Sequence, residues 1–135
     1  MNIEIKTFKE LDTSTLYDIL QLRSGVFVVE QNCVYQDIDG KDKEALHIIY
    51  KQEDKLVAYT RCFAPGVYFK EASIGRVVVT PKERNNSYGH KIMKTSVTLR
   101  VSRSSLTVFA PRVQPCYCVE LQKLPQRSSP AWARW

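Results

Sequence analysis

The chain has 135 residues, 20 of them Lys or Arg against 14 Asp or Glu, for a formal net charge of +6. At 44% hydrophobic and 25% charged residues it has the make-up of one globular domain rather than of a fibrous or low-complexity chain. No run approaches the roughly 18 apolar residues of a membrane span, and the opening MNIEIKTFKELD has no apolar secretion-signal core. A cytoplasmic protein with no membrane partner is the expectation.

The first strand is expected over Asn2–Phe8, with Ile3, Ile5 and Thr7 on one side and Glu4 and Lys6 on the other. Asp12 or Thr13 can cap a helix running to about Arg23, and Val26–Val29 either extends that helix or breaks from it. A polar loop from Gln31 to Ala45 follows, with Gly40 as its turn residue. Leu46–Lys51 and Lys55–Phe63 form a hairpin across Gln52-Glu53-Asp54. After Pro65 and Gly66 comes a fourth strand, Ala72–Thr80, ended by Pro81, which cannot donate to a ladder. Ile92, Met93 and Val97 then give helical spacing to Ser87–Arg100. The order β-α-β-β-β-α describes an α/β domain of mixed α+β type.

The positive charge is unevenly placed. Residues 1–100 carry 15 Lys/Arg and 13 Asp/Glu, whereas residues 101–135 have five basic residues against Glu120. Cys33 and Cys62 stand singly, and Cys116 and Cys118 have neither zinc-knuckle nor redox spacing. With only His47 and His90 to join them, reduced thiols rather than a metal are expected.

Chemistry concentrates where the fourth strand feeds the last helix. Such a junction presents free backbone N–H groups and the positive end of the helix dipole, which together attract an anion. Gly89 permits close backbone approach, and Arg84 and Lys91 add charge. A solvated basic loop is the plainer alternative. The run Arg84-Asn85-Asn86-Ser87-Tyr88-Gly89 resembles the acetyl-CoA signature of GNAT N-acetyltransferases, Arg/Gln-x-x-Gly-x-Gly/Ala, with Ser87 replacing one glycine. Leu20–Arg23, Val26–Cys33, Tyr35–Asp42, His47, Leu56–Arg61 and Ser73–Val79 are similar, in order, to the ElaA-like branch of that superfamily. The resemblance implies a central, mostly antiparallel sheet flanked by helices, with acetyl-CoA as co-substrate. It implies that backbone groups of Val77, Val78 and Val79 pair with the pantetheine arm, and that Arg84, Asn85, Asn86, Ser87, Tyr88 and Gly89 hold the pyrophosphate.

Transfer to an amine also needs a base. Glu30, Glu71 or a water held by them are the candidates. Glu30 follows an apolar run where partial burial would raise its pKa, the alternative being a surface carboxylate. Tyr35 and Tyr59 are candidates for the acceptor groove, with packing as the alternative. His47 reads as structural. The acidic run from Asp37 to Glu44 reads as a loop attracting a cationic acceptor, a small molecule or a peptide amine.

Residues 101–135 depart from the family pattern. They hold four of the six prolines, both tryptophans and no Gly, Ile or Asp. A strand over Ser105–Ala110 and a disordered basic end over Gln126–Trp135 are the expectations there. Ser105–Ala110 could serve as the fifth strand of the GNAT fold, but the prolines from Pro111 leave no place for the next helix, and the tyrosine that the family uses to protonate the leaving thiolate has no counterpart. The domain division is therefore a GNAT-like core, 1–100, and a basic tail, 101–135. The break near Thr98 is that of an altered reading frame or a replaced end, a hypothesis that sequencing codons 90–135 tests. Three functions compete: an acyl-CoA-dependent N-acetyltransferase, an inactive GNAT-derived CoA- or partner-binding protein, and a small basic nucleic-acid binder. The near-neutral core and the lack of basic-aromatic spacing count against the last.

Overall fold

The computed structural model describes residues 2–103, and the features expected over 105–110 and 126–135 lie outside the described residues. Four strands, β1 (Asn2–Thr7), β2 (Leu46–Gln52), β3 (Lys55–Phe63) and β4 (Ser73–Val79), form one antiparallel sheet in chain order. Helix α1 (Thr13–Arg23) lies on one face and helix α2 (Tyr88–Arg103) on the other.

Period-two alternation divides neighbouring residues between the two faces. Ile49, Tyr59 and Val78 meet Ile19 of α1 with Val26 and Phe27. Ile48, Tyr50, Ala58, Cys62, Ile74 and Val79 meet Tyr88 and Ile92 of α2. Covering both faces is why the central strands read as nearly continuous apolar runs.

The β1 alternation is as expected, and the structure adds which side is covered. Ile3 and Ile5 sit opposite Tyr50 and Ile48, on the α2 side, but remain about two-fifths exposed at 41% and 40%. Glu4 and Lys6 occupy the more covered side, where Glu4 pairs with Lys6 at 2.8 Å and Lys51 at 3.5 Å. The alternation is as read, but α2 packs over the strands farther along the sheet, so the apolar side of this edge strand is not the covered one.

The β2–β3 connection follows directly from its dihedrals. Glu53 and Asp54 have φ of 50° and 60°, the two left-handed residues of a type I′ turn, whose twist matches that of the flanking strands. Asp12 caps α1 by accepting the Thr15 N–H at 2.8 Å, and that bond holds its carboxyl down at about 2. Beyond Arg23 the helix does not continue as an α-helix: Ser24–Glu30 widens into a π-helix. The amides of Gln31 and Cys33 accordingly reach back five residues, to Val26 O and Val28 O. Val26 and Phe27 are thereby buried, while Val29 is turned to solvent.

Candidate functional site

The end of β4 is built around an irregularity. Tyr59 pairs with Val78 and Arg61 with Gly75, so two residues of β4, Arg76 and Val77, oppose Thr60 alone. This is a β-bulge, and Arg76 takes its left-handed position at φ 54°. The Thr60 hydroxyl braces the bulge by donating to Gly75 O at 3.1 Å. Above it the Thr80 amide donates to Val57 O at 2.8 Å. In an antiparallel ladder backbone groups alternate, so the N–H and C=O of Val79 point away from β3. No described strand pairs with that outer edge.

Pro81–Asn86 then forms a 3-10 helix, and Ser87 reverses the chain in the left-handed conformation, φ 59° and ψ 19°. This is the position at which the family pattern carries glycine. Helix α2 starts at Tyr88, and the Lys91 amide is the first to close a turn, onto Ser87 O at 3.1 Å. The amides of Tyr88, Gly89 and His90 have no intrahelical acceptor, as at any helix start. Gly89, expected to allow close backbone approach, lies buried in the first turn of α2. Tyr88 is buried, its hydroxyl bonded to Gln52 Oε1, and Lys91 Nζ lies 5.1 Å from its ring centre. Asn85 and Asn86 are exposed, and Asn86 Nδ2 donates to Glu83 at 2.7 Å.

Glu30, at the end of the π-helix, reaches this loop. Arg84 Nη1 and Nη2 donate to its two carboxylate oxygens at 2.6 Å and 2.7 Å, a bidentate pair spanning 54 residues of sequence. The Arg84 hydrogen bond lowers the Glu30 pKa and outweighs the opposing effect of burial. Of the two readings of Glu30, the surface carboxylate is the one found: the side chain keeps 40% of its exposure, so the arginine rather than burial decides its pKa. Glu71 lies half-buried in the loop before β4.

The acidic loop has its carboxylates engaged inside the protein. Asp37 accepts Arg23 Nε at 2.9 Å and lies 2.6 Å from Arg76 Nε. Asp42 Oδ1 accepts both Arg23 Nη1 at 2.7 Å and Arg61 Nη1 at 2.9 Å. Asp39 grips Arg61 bidentately at 2.7 Å and 2.8 Å. Three guanidinium groups thus meet three carboxylates. Burial disfavours ionisation of Asp39, but Arg61 overrides it and holds the carboxyl at about 2. Burial likewise opposes the charge on Asp42, and Arg23 and Arg61 bring its pKa down. The expectation that this loop attracts a cationic acceptor therefore fails for Asp37, Asp39 and Asp42.

Tyr59 belongs to the same interior. It is fully buried, and its hydroxyl lies 2.8 Å from His47 Nδ1. His47 Nε2 lies 2.9 Å from Asp42 O, which can only accept, so the neutral ring donates there and receives the tyrosine proton at Nδ1. Burial lowers the pKa of His47 and raises that of Tyr59. An acceptor groove cannot be lined by Tyr59, because no part of it reaches solvent. Tyr35 is half-buried, donates to Asp37 at 3.1 Å and lies beneath the Arg76 guanidinium.

The structure therefore brings Glu30 and Arg84 together, leaves Tyr59, Asp37 and Asp42 in the interior, and ties the half-buried Asp39 to Arg61. Sequence reasoning missed the roles of Arg23, Arg61 and Arg76. A signal was available: Arg61 and Arg76 interrupt apolar strands covered on both faces, and a charge there requires a partner. The bulge and the π-helix carried no comparable signal.

A doubled strand edge followed by a tight left-handed turn into a helix start is an arrangement for binding an extended ligand with an anionic end. The chain matches the acetyltransferase (GNAT) family over residues 12–112. It belongs to that family. It is 44% identical over 90 residues to protein ElaA of Escherichia coli, covering 65% of this chain and 59% of ElaA. A UPF0039 protein of Schizosaccharomyces pombe is 46% identical over 89 residues, 65% of this chain and 58% of that one. The crystal structure of Escherichia coli ElaA superposes with a TM-score of 0.71 at 38% identity, over 76% of this chain and 70% of that one. An acyl-CoA N-acyltransferase from Pseudomonas aeruginosa gives 0.68 at 35%, over 72% and 68%. The chain spans somewhat under three-fifths of the length of the two relatives compared by sequence. Among the described residues no helix is long and apolar enough to cross a membrane, and no cluster of three or more His, Cys, Asp or Glu residues is placed to hold a metal.

Proposed function

We propose that this chain carries the acyl-CoA-binding core of an N-acetyltransferase that moves an acetyl group from acetyl-CoA to an amine. The observation that carries the reading is the bulged end of β4, continuous through Ser87 with the start of α2. Outward-facing backbone groups at Val79 offer a strand-like edge to a pantetheine arm. The amides of Tyr88, Gly89 and His90, with Arg84 and Lys91 beside them, suit a pyrophosphate.

Acetyl-CoA supplies the thioester whose acyl carbon the amine attacks, giving an amide and a free thiol. The chain's part is to orient that carbon, donate a backbone N–H to the acyl oxygen and receive the proton that the amine gives up. Glu30 and Glu71 remain the candidates for that proton. The acceptor is an amine of small-molecule or peptide class. Arg23, Arg61 and Arg76 are engaged with aspartates and buried, which argues against a nucleic-acid function. A second reading, CoA binding without turnover, is favoured by one contact: Glu30 paired to Arg84 is a weakened base.

The test is the melting temperature with and without millimolar acetyl-CoA, followed by turnover with a panel of amines. At 100 times its dissociation constant the ligand stabilises the fold by about 2.7 kcal/mol, a shift of several degrees for a domain of this size. A cooperative melt that acetyl-CoA does not move overturns the proposal. A shift without turnover selects the second reading.

A further inference from the structure

We propose that Glu30 is a built-in counter-anion of the phosphate loop: it holds Arg84 in the nucleotide-free protein and is displaced by the pyrophosphate of an incoming acyl-CoA. The inference rests on the reading of Arg84–Gly89 as the pyrophosphate site.

Geometry supports the exchange. The guanidinium presents its Nη1/Nη2 edge to both oxygens of Glu30, in the fork arrangement that arginine also uses for phosphate. One edge cannot grip a carboxylate and a phosphate bidentately at the same time. Exposure makes the pair exchangeable. The two side chains keep 40% and 24% of their accessible surface, so solvent screens the pair and breaking it costs little. The aspartate–arginine contacts beneath the sheet face lack that property, since Arg23 and Arg61 are almost fully buried. Charge gives the exchange a direction: an ionised carboxylate beside an arriving pyrophosphate is repelled as well as replaced.

The displaced residue has a place to act. Glu30 ends the π-helix Ser24–Glu30 and is one of the two candidate bases. The Arg84 hydrogen bond is what lowers its pKa, so release returns the carboxyl toward its ordinary value and improves it as a proton acceptor. Nucleotide binding would then arm the base, and the amine would react only after the acyl-CoA is seated.

Calorimetric affinities of four full-length proteins test this: wild type, Glu30→Gln, Arg84→Gln and the double variant, each with a cooperative melt as folding control. The probes are CoA and S-acetyl-pantetheine, which has the thioester arm without the pyrophosphate. Loss of a screened competitor predicts about five-fold tighter CoA binding by Glu30→Gln, the factor that corresponds to about 1 kcal/mol. S-acetyl-pantetheine affinity stays unchanged, and the gain for CoA vanishes in the Arg84→Gln background. Unchanged or weaker CoA binding by Glu30→Gln overturns the proposal, because Glu30 then only positions Arg84. An equal gain in the Arg84→Gln background also overturns it, since the effect is then long-range charge. CoA binding by wild type alongside either result leaves the pyrophosphate site standing. Absence of CoA binding by both wild type and Glu30→Gln removes the site and the counter-anion together.

Discussion

Two sets of arginine–carboxylate pairs, one reached through Arg23 just before the π-helix and one through Glu30 at its end, are alike in chemistry and opposite in consequence. Arg23, Arg61 and Arg76 meet the buried Asp37 and Asp42 and the half-buried Asp39, where an abandoned guanidinium has little water to turn to. Arg84 meets Glu30 at the surface, where water replaces either partner. Buried pairs of this kind fix a loop on a sheet; exposed ones can be traded for a ligand. Removing one partner of a buried pair strands the other, and that asymmetry gives the comparison its sharpest test.

Asp42→Ala leaves Arg23 and Arg61 each short of a carboxylate, and urea unfolding should show a loss of about 3–5 kcal/mol. A loss below about 1 kcal/mol would mean that these groups are solvated and the comparison is empty. Tyr59→Phe withdraws the hydroxyl from His47 and leaves a buried nitrogen unpaired, for a loss of about 1–3 kcal/mol by the same measurement.

Acid should separate the two regions again. His47 has a folded pKa lowered by burial, so its contribution is present above the unfolded value of about 6.5 and falls away below it. Asp39 follows at lower pH: its folded value of about 2 against an unfolded value of about 3.9 means stability lost as pH falls through that interval. Melting temperature should therefore decline first below about pH 6.5 and then more steeply below about pH 4. His47→Gln should abolish the first decline and leave the second.

Ser87→Gly should raise stability by up to about 1 kcal/mol, because glycine adopts φ 59° without steric cost. Smallest of all, Glu30→Gln should shift unfolding free energy by less than about 1 kcal/mol. A larger loss would place that pair with the buried set.

The sheet was legible because its strands are marked twice, by apolar runs and by the turn residues between them. The order of elements, the Asp12 cap and the hairpin all follow from local signals. β1 was legible as an alternation but not as a covered side, since which side is covered depends on where α2 lies. Interior charge was harder to read. Asp37, Asp39 and Asp42 look like any solvated acidic loop until Arg61 and Arg76 are recognised as charges in buried strands needing partners. Tyr59 carries the same ambiguity, since an aromatic residue suits a groove and a core equally well. Glu30 was legible only as a carboxylate after an apolar run, because its partner lies 54 positions away, beyond any local pattern.

The π-helix Ser24–Glu30 amounts to one residue more than an α-helix would use to cover the same distance. It works as an index mark on the chain: each residue of a regular helix turns its successor by about 100°. Were the same seven residues wound as an ordinary α-helix, the side chains after them would lie about one residue's turn farther around the axis. Glu30 would no longer point at Arg84, although every residue of the pair would still be present. The wider winding before Glu30, as much as the identity of Glu30, is therefore what a working copy of this segment has to preserve.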